Sequence, residues 1–210
     1  VRGKFVSFEG GEGTGKTTQI MRLHNYLTGE LGIECKVTRE PGGVRIAEQI
    51  REIILTPSNK VMDSLTELLL FVAARRQILK ELIQPTLESG VWVLSDRYVD
   101  SSVVYQGICR NIGVELVKEL NNLAIESYMP DLTLYLDIDP EIGLGRVGKR
   151  GDLNRLDEET LDFHKRVREG YKMLTEQTPD RLVEINGEPD EETVFKSIKE
   201  TIHSKLIYID

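Results

Sequence analysis

Residues 8–19 read "FEGGEGTGKTTQ", in which Gly10, Gly15, Lys16 and Thr17 keep the spacing G-x-x-x-x-G-K-[ST]. Gly10, Gly11, Gly13 and Gly15, with Thr14 among them, let successive backbone N–H groups turn inward around an anion. The loop follows a strand pattern and opens a helix pattern, so the helix N-terminus points at the same spot. In that setting Lys16 reaches the β/γ-phosphates of a nucleoside triphosphate, and Thr17 offers a hydroxyl to Mg²⁺. Thr18 adds a hydroxyl for the α-phosphate. The pattern leaves open what the phosphate is used for. Glu12 also puts a carboxylate inside this loop, so further positive charge has to come from elsewhere.

A second group of chemical residues sits at later strand ends. "VWVLSD" (91–96) runs into "SDRY", and a carboxylate at the C-terminal end of a central strand lies beside the phosphate loop in open α/β sheets. Asp96 is therefore a candidate for holding Mg²⁺ or its water, the alternative being a loop or capping aspartate. Arg97 follows it, and "TREPGG" brings Arg39 to a neighbouring strand end. Two arginines at one sheet edge suit a second anion, since guanidinium forks grip phosphate oxygens in pairs. Phe71 and Arg75 are four apart and share a helix face. Together they suit a stacked base and its carbonyl, or else core packing and a solvated charge.

These residues need a frame. Apolar strand patterns recur at 4–9, 34–39, 91–96, 132–137 and 182–186, separated by helical patterns. Apolar runs alternating with helices predict a parallel sheet covered on both faces. Helices are expected after the phosphate loop, after "EPGG", from Ser64 and Glu67 (a capping-box spacing) towards Pro85, and over roughly 114–127. The run "LLLFVAA" (68–74) reads as a buried helix face. "GLGRVGKRGDLNRLDEE" (143–159) is rich in cations and glycine and reads as a mobile segment between helices.

Composition narrows the function. The chain has 210 residues, 40% hydrophobic and 30% charged, and a net charge of −8 with no basic run. It suits one soluble domain over 1–210 and is a poor match for a nucleic-acid backbone or a membrane. Cys35 and Cys109 have neither metal spacing nor a paired framework and read as reduced thiols. The N-terminus enters a strand almost at once, so no leader peptide is expected. His24, His164 and His203 stand at no metal or triad spacing.

"FEGGEGTGKTTQ", "TREPGG", "LLFVAARRQ", "DRYVDSSVVYQG", "PDLTLYLDIDPEIGLGR" and "RGDLNRLDEE" occur in the order found in bacterial thymidylate kinases, which the chain resembles over nearly its whole length. The resemblance implies a three-layer P-loop kinase fold, with five parallel strands between helices and a short lid at about 143–157. It implies transfer of the γ-phosphoryl group of ATP, with Mg²⁺, to thymidine 5′-monophosphate, in a cytoplasmic homodimer. By motif, Gly10, Gly11, Glu12, Gly13, Thr14, Gly15, Lys16, Thr17, Thr18 and Arg146 would hold ATP, and Thr17 and Asp96 the metal. Phe71 would stack on thymine, Arg75 would bond it, and Ser102 and Gln106 would lie at its edge. Tyr105 would crowd the sugar 2′ carbon, and Arg39 and Arg97 would hold the acceptor phosphate. Glu12 would face the acceptor sugar. The phosphate loop has no arginine, so the lid cations Arg146, Lys149, Arg150 and Arg155 stand in, with Arg150 matching the family's catalytic position beside Lys16, Arg97 and Glu12. Gly148 and Asn154 depart from the commoner lid pattern, as Val104 does from "AYQG". A kinase of another nucleotide or nucleoside on the same fold, or a P-loop NTPase switch or binding module that hydrolyses ATP without an acceptor, stays open at this point.

Overall fold

The computed structural model describes residues 1–150 and 154–207, without the side chains of residues 149 and 150. Five strands form one sheet in the order β2-β3-β1-β4-β5: β1 Phe5–Glu9, β2 Cys35–Arg39, β3 Trp92–Asp96, β4 Leu132–Asp137 and β5 Leu182–Asn186. All neighbours are parallel, so every strand ends at the same edge. Register aligns Phe8 and Arg39 with Asp96, and Glu9 with Tyr135. The strand ends flagged in the sequence are thereby brought into one row.

The helices are α1 Lys16–Asn25, α2 Arg45–Leu55, α3 Ser64–Ile78, α4 Gln84–Glu88, α5 Val99–Ser102, α6 Val114–Ile125, α7 Pro140–Arg150, α8 Leu161–Gln177 and α9 Glu191–Ile202. β1 and β4 are buried along their whole length, as strands covered on both faces must be. On one face Val6, Phe8 and Leu134 meet Leu23 of α1 and Ile198 of α9. On the other, Tyr135 meets Phe163, Val167 and Tyr171 of α8. Tyr135 and Tyr171 stack with ring centroids 4.8 Å apart. Among the described residues no helix is long and apolar enough to cross a membrane.

Three expectations change. The α3 cap is Asp63 rather than Ser64, its carboxylate accepting from the Leu65 and Thr66 amides at 3.0 and 3.1 Å. A carboxylate one residue earlier meets both orphan donors, which releases Glu67 to turn inward. "LLLFVAA" is not buried throughout: Leu68, Phe71 and Ala74 are, while Leu69 is 48% exposed. The segment at 143–150 is not a loop but the body of α7. Arg150 closes that helix, and its side chain lies outside the described residues.

Truncation at the centre of the sheet tests this core. Leu134→Ala removes a fully buried side chain, and should cost about 2–5 kcal/mol. At roughly 2–4 °C per kcal/mol for a chain of this size, thermal denaturation should register the loss plainly. An unchanged midpoint would mean Leu134 is not packed as described.

Candidate active site

α1 begins directly from the phosphate loop. Its N-cap is Gly15, with φ +86° and no side chain bonding the first amides. Those N–H groups are left to an anion, in a conformation that glycine adopts without strain. Lys16 lies over the loop, donating to the Gly11 carbonyl at 2.8 Å and to the Gly10 carbonyl at 3.2 Å. Burial, with Arg97 adding to it, pulls its ammonium below the usual lysine range, while Asp96, Glu12 and Glu9 pull the other way. Thr17 Oγ1 donates to Asp96 Oδ2 at 3.1 Å, uniting the helix start with the end of β3.

α7 closes against the loop because both sides are glycine. A Cβ on Gly13 would stand 2.2 Å from the Gly143 carbonyl oxygen, and one on Gly143 would stand 2.2 Å from that of Glu12. The contact brings Arg146 to the Gly13 carbonyl, at 3.3 Å.

Two cavities open at the strand ends. The larger, about 770 Å³, is lined by the loop from Glu12 to Thr18, Arg39, Asp96, Arg97 and Arg146. The smaller, about 90 Å³, is lined by Phe71, Tyr105, Gln106, Arg51, Asn154 and Leu156 among others. Glu12 and Arg97 line both. Arg97 Nη2 donates to Glu12 Oε1 at 2.6 Å, and the Tyr105 hydroxyl donates to the same oxygen at 3.0 Å. The guanidinium also lies 5.1 Å from the centre of the Tyr105 ring. Burial alone would raise the Glu12 carboxyl, but Arg97, Lys16 and the Tyr105 hydrogen bond hold it below the ordinary range.

Arg97 itself has φ +71°, a left-handed backbone that a bulky residue seldom takes. A buried shell holds it there. Glu9 accepts from the Tyr98 amide, Ser101 and Tyr171 at 2.8, 2.5 and 2.7 Å. Ser101 and Tyr171 in turn stand 3.2 and 3.4 Å from Arg97 Nη1. Burial raises the Glu9 carboxyl, with Asp100 adding to the effect and Arg97 opposing it.

Most of the residues singled out in the sequence converge here, but not all in the way expected. Phe71, Tyr105 and Gln106 line the smaller cavity, the latter two from a π-helical turn at Val103–Cys109. Arg75 stands one layer behind. It is 1% exposed, and its fork engages Glu40, Ser102 and Asn121 side chains and the Tyr98 carbonyl at 2.7–3.0 Å. Ser102 is likewise turned to Arg75 rather than into the cavity lining. Burial pushes the Glu40 carboxyl up to about 7 against the pull of Arg75. Arg39 is exposed and is held by Glu48, at 3.0 Å. Of the lid cations, Arg155 is buried against Glu67 at 2.5 Å, away from the phosphate loop.

Sequence reasoning missed Arg51, which lines both cavities from α2. The available signal was its place four residues after the buried Ala47, on the inward helix face. It also missed Glu9, an acid at the end of a strand buried at every position. Among the described residues no cluster of three or more His, Cys, Asp or Glu side chains could hold a metal ion.

The family model described as thymidylate kinase matches residues 8–198. The thymidylate kinase of Clostridium novyi is 50% identical over 200 residues, covering 94% of this chain and 97% of that protein. That of Geobacillus thermodenitrificans is 51% identical over 208 residues, covering 98% and 92%. The crystal structure of thymidylate kinase from Ehrlichia chaffeensis superposes with a TM-score of 0.80 at 30% identity, covering 96% of this chain and all of that one.

The Glu12 ion pair has a pH signature. Its folded carboxyl lies below the ordinary 4.5, so its contribution is present above that value and is lost as pH falls through the folded value. Glu12→Gln, which mimics the protonated acid, should therefore differ most from the parent near neutrality. Urea denaturation at stepped pH should show that gap narrowing as the medium becomes acid. A gap that stays constant through the acid range would mean Glu12 is not held ionised by Arg97.

Proposed function

The chain belongs to the thymidylate kinase family, and on that premise we propose that the two cavities hold ATP and thymidine 5′-monophosphate and that the γ-phosphoryl group passes between them to give dTDP and ADP. The observation that carries this reading is that Glu12 and Arg97 line both cavities. A phosphoryl group moving from one to the other would cross the junction they line.

In the larger cavity, the free amides of the loop and α1 bind the triphosphate, and Lys16 swings from the loop carbonyls to its β/γ oxygens. Arg146 approaches from α7. Thr17 and Asp96 would hold Mg²⁺. Their fit rests on two hard oxygen donors 3.1 Å apart at the phosphate mouth, enough for an ion that takes its other ligands from phosphate and water. Bound there, the ion would neutralise phosphate charge as the bond to the leaving oxygen lengthens.

In the smaller cavity Phe71 offers a face for the base and Gln106 an edge, while Arg75 acts through Ser102 and Glu40 behind them. Tyr105, tied to Glu12, would crowd a ribose 2′-hydroxyl. Arg97, Arg39 and Arg51 supply the charge for the acceptor phosphate. Glu12 keeps Arg97 aimed at the junction and can accept from an acceptor hydroxyl. No covalent intermediate is needed, because phosphoryl transfer depends on alignment and charge neutralisation. We read the chain as a single cytoplasmic domain that pairs with a second copy. The apolar side chains Leu65 and Leu69 of α3 and Leu116 and Leu123 of α6, exposed by 42–76%, support the pairing.

A panel of nucleoside monophosphates in a coupled ADP-release assay tests the acceptor. Thymidine monophosphate should be preferred. Loss of the 5-methyl group should weaken it by only about 1–3 kcal/mol, so deoxyuridine monophosphate remains a substrate. Tyr105→Ala should narrow the gap between deoxy and ribo acceptors, and Lys16→Ala should abolish turnover in a folded protein. ATP consumption that ignores every acceptor would replace the kinase reading with that of a simple NTPase.

The lid arginines separate by role. Arg150→Ala should lower kcat by roughly 10²–10³, towards the lower end for phosphoryl-transfer arginines, with little change in acceptor KM. Arg146→Ala should act mainly on ATP. If both variants keep kcat within a factor of about three, well under the tenfold that 1.36 kcal/mol represents, the transferring phosphate is neutralised from outside this helix.

A further inference from the structure

Glu67 is 1% exposed and lines neither cavity described above, yet it gathers groups from two separate parts of the chain, the turn around residues 106–110 and the segment at Arg155. It projects from α3, accepts from Gln106 Nε2 at 2.8 Å, and accepts from Arg155 Nη2 at 2.5 Å. Arg110 reaches both of its oxygens at 3.3 Å and goes on to Glu159 at 2.6 Å. Burial would raise this carboxyl, but Gln106, Arg110 and Arg155 hold it below the ordinary range, so it is an anion at neutral pH.

Two consequences reach the smaller cavity. An ionised carboxylate only accepts hydrogen bonds, so it fixes the Gln106 amide with nitrogen towards Glu67 and oxygen away from it. Gln106 lines the cavity, and what it can then offer a base is an acceptor. A pyrimidine with a ring N–H, such as thymine, matches an acceptor. Cytosine, whose N3 is a bare acceptor, does not match it at that position, its donor being the 4-amino group instead. The second consequence runs through Arg155. Its Nε donates to the Ile54 carbonyl at 2.8 Å and its backbone N–H to the Leu55 carbonyl at 3.0 Å. Its neighbours Asn154 and Leu156 line the cavity, and Leu156 joins Ile54 and Phe71 in one apolar cluster.

We propose that Glu67 is a positioning residue for recognition of the acceptor base, orienting the Gln106 amide and, through Arg155, holding Asn154 and Leu156 against the base cavity. The proposal rests on the acceptor reading given above. It makes Arg155 a wall-building residue of the acceptor side and sets it apart from the cations of α7.

The test compares the parent with Glu67→Gln, Arg155→Lys and the double variant, using steady-state kinetics with dTMP and dCMP and calorimetric titration of dTMP without ATP. A glutamine at 67 can offer either end of its amide, so it releases the Gln106 flip. Glu67→Gln should raise the dTMP KM by about 10- to 100-fold, the scale on which small misplacements act. The ATP KM should stay within about twofold, since of the groups Glu67 holds only Asn154 also reaches the larger cavity. Preference for dTMP over dCMP should fall, which general loosening of the fold would not produce. Arg155→Lys should weaken dTMP binding less, with preference retained, because Glu67 still orients Gln106. The double variant should lose less than the two single losses combined, as residues on one path do. Circular dichroism checks folding. If Glu67→Gln fails to fold, the milder Arg155→Lys decides by its dTMP affinity. Folded variants with the parent's dTMP affinity and dTMP-to-dCMP ratio would overturn the proposal. A parent enzyme that does not use dTMP would instead overturn the acceptor reading beneath it.

Discussion

The ion pair between Arg97 and Glu12, 2.6 Å long and set where the two cavities meet, is the interaction around which the site is built. Each partner has a reason not to be there. Glu12 adds negative charge to a loop shaped for anions, and Arg97 holds a backbone conformation that costs free energy. Together they neutralise one another, and the surrounding residues maintain the pair. Tyr105 bonds the carboxylate, while Ser101 and Tyr171, fixed by Glu9, lie against the guanidinium. The opposing costs are met by a buried polar set in which each member accepts or donates to another.

The parallel sheet supplies the geometry on which that pair depends. Because all five strands run the same way, Gly10, Arg39 and Asp96 arrive at one edge from three distant parts of the chain. α8 is braced from the far side by Asp137, which receives Arg168 at 2.7 and 2.8 Å and stands 3.3 Å from Lys172. Burial would raise the Asp137 carboxyl, but these cations and Tyr135 hold it down. That clamp keeps Tyr171 within reach of Glu9, so an ion pair at the rim of one helix supports the position of Arg97 across the sheet.

Buried charge recurs around the smaller cavity, and there two clusters pair opposite charges. Arg75 with Glu40, and Glu67 with Arg110 and Arg155, are each nearly or fully enclosed on at least one side of the pair. Such pairs add little net stability over apolar packing, but removing one partner strands the other, at a cost of about 3–5 kcal/mol. Their effect is to fix geometry. Arg75 makes Ser102 and Glu40 part of a rigid wall, and Glu67 does the same for Gln106 and the chain around Arg155.

Local pattern was enough to read the sheet and the phosphate loop. Five apolar runs appeared as five strands within a residue of their expected limits. The glycine spacing of the loop is a backbone requirement, and backbone requirements are legible in sequence because only one residue type meets them cheaply. Phe71, Tyr105 and Gln106 were legible for a different reason, their resemblance to a family motif, and they do line the smaller cavity. What sequence could not give was the direction of a charged side chain. Arg75 looked like a surface or ligand-facing arginine and is the most deeply engaged cation of the interior, while Arg155 looked like a lid cation and is bound to Glu67. Glu67 looked like half of a capping box until Asp63 took the cap. Segment 143–150 looked like a loop because its glycines weaken helix propensity and it has little apolar content, yet Gly143 is the residue that lets α7 meet the phosphate loop. For the two arginines and Gly143 the outcome turned on partners from 23 to more than 100 residues away. A charge takes its position from where its counter-charge lies in space, and that is set only when the tertiary fold brings the two together.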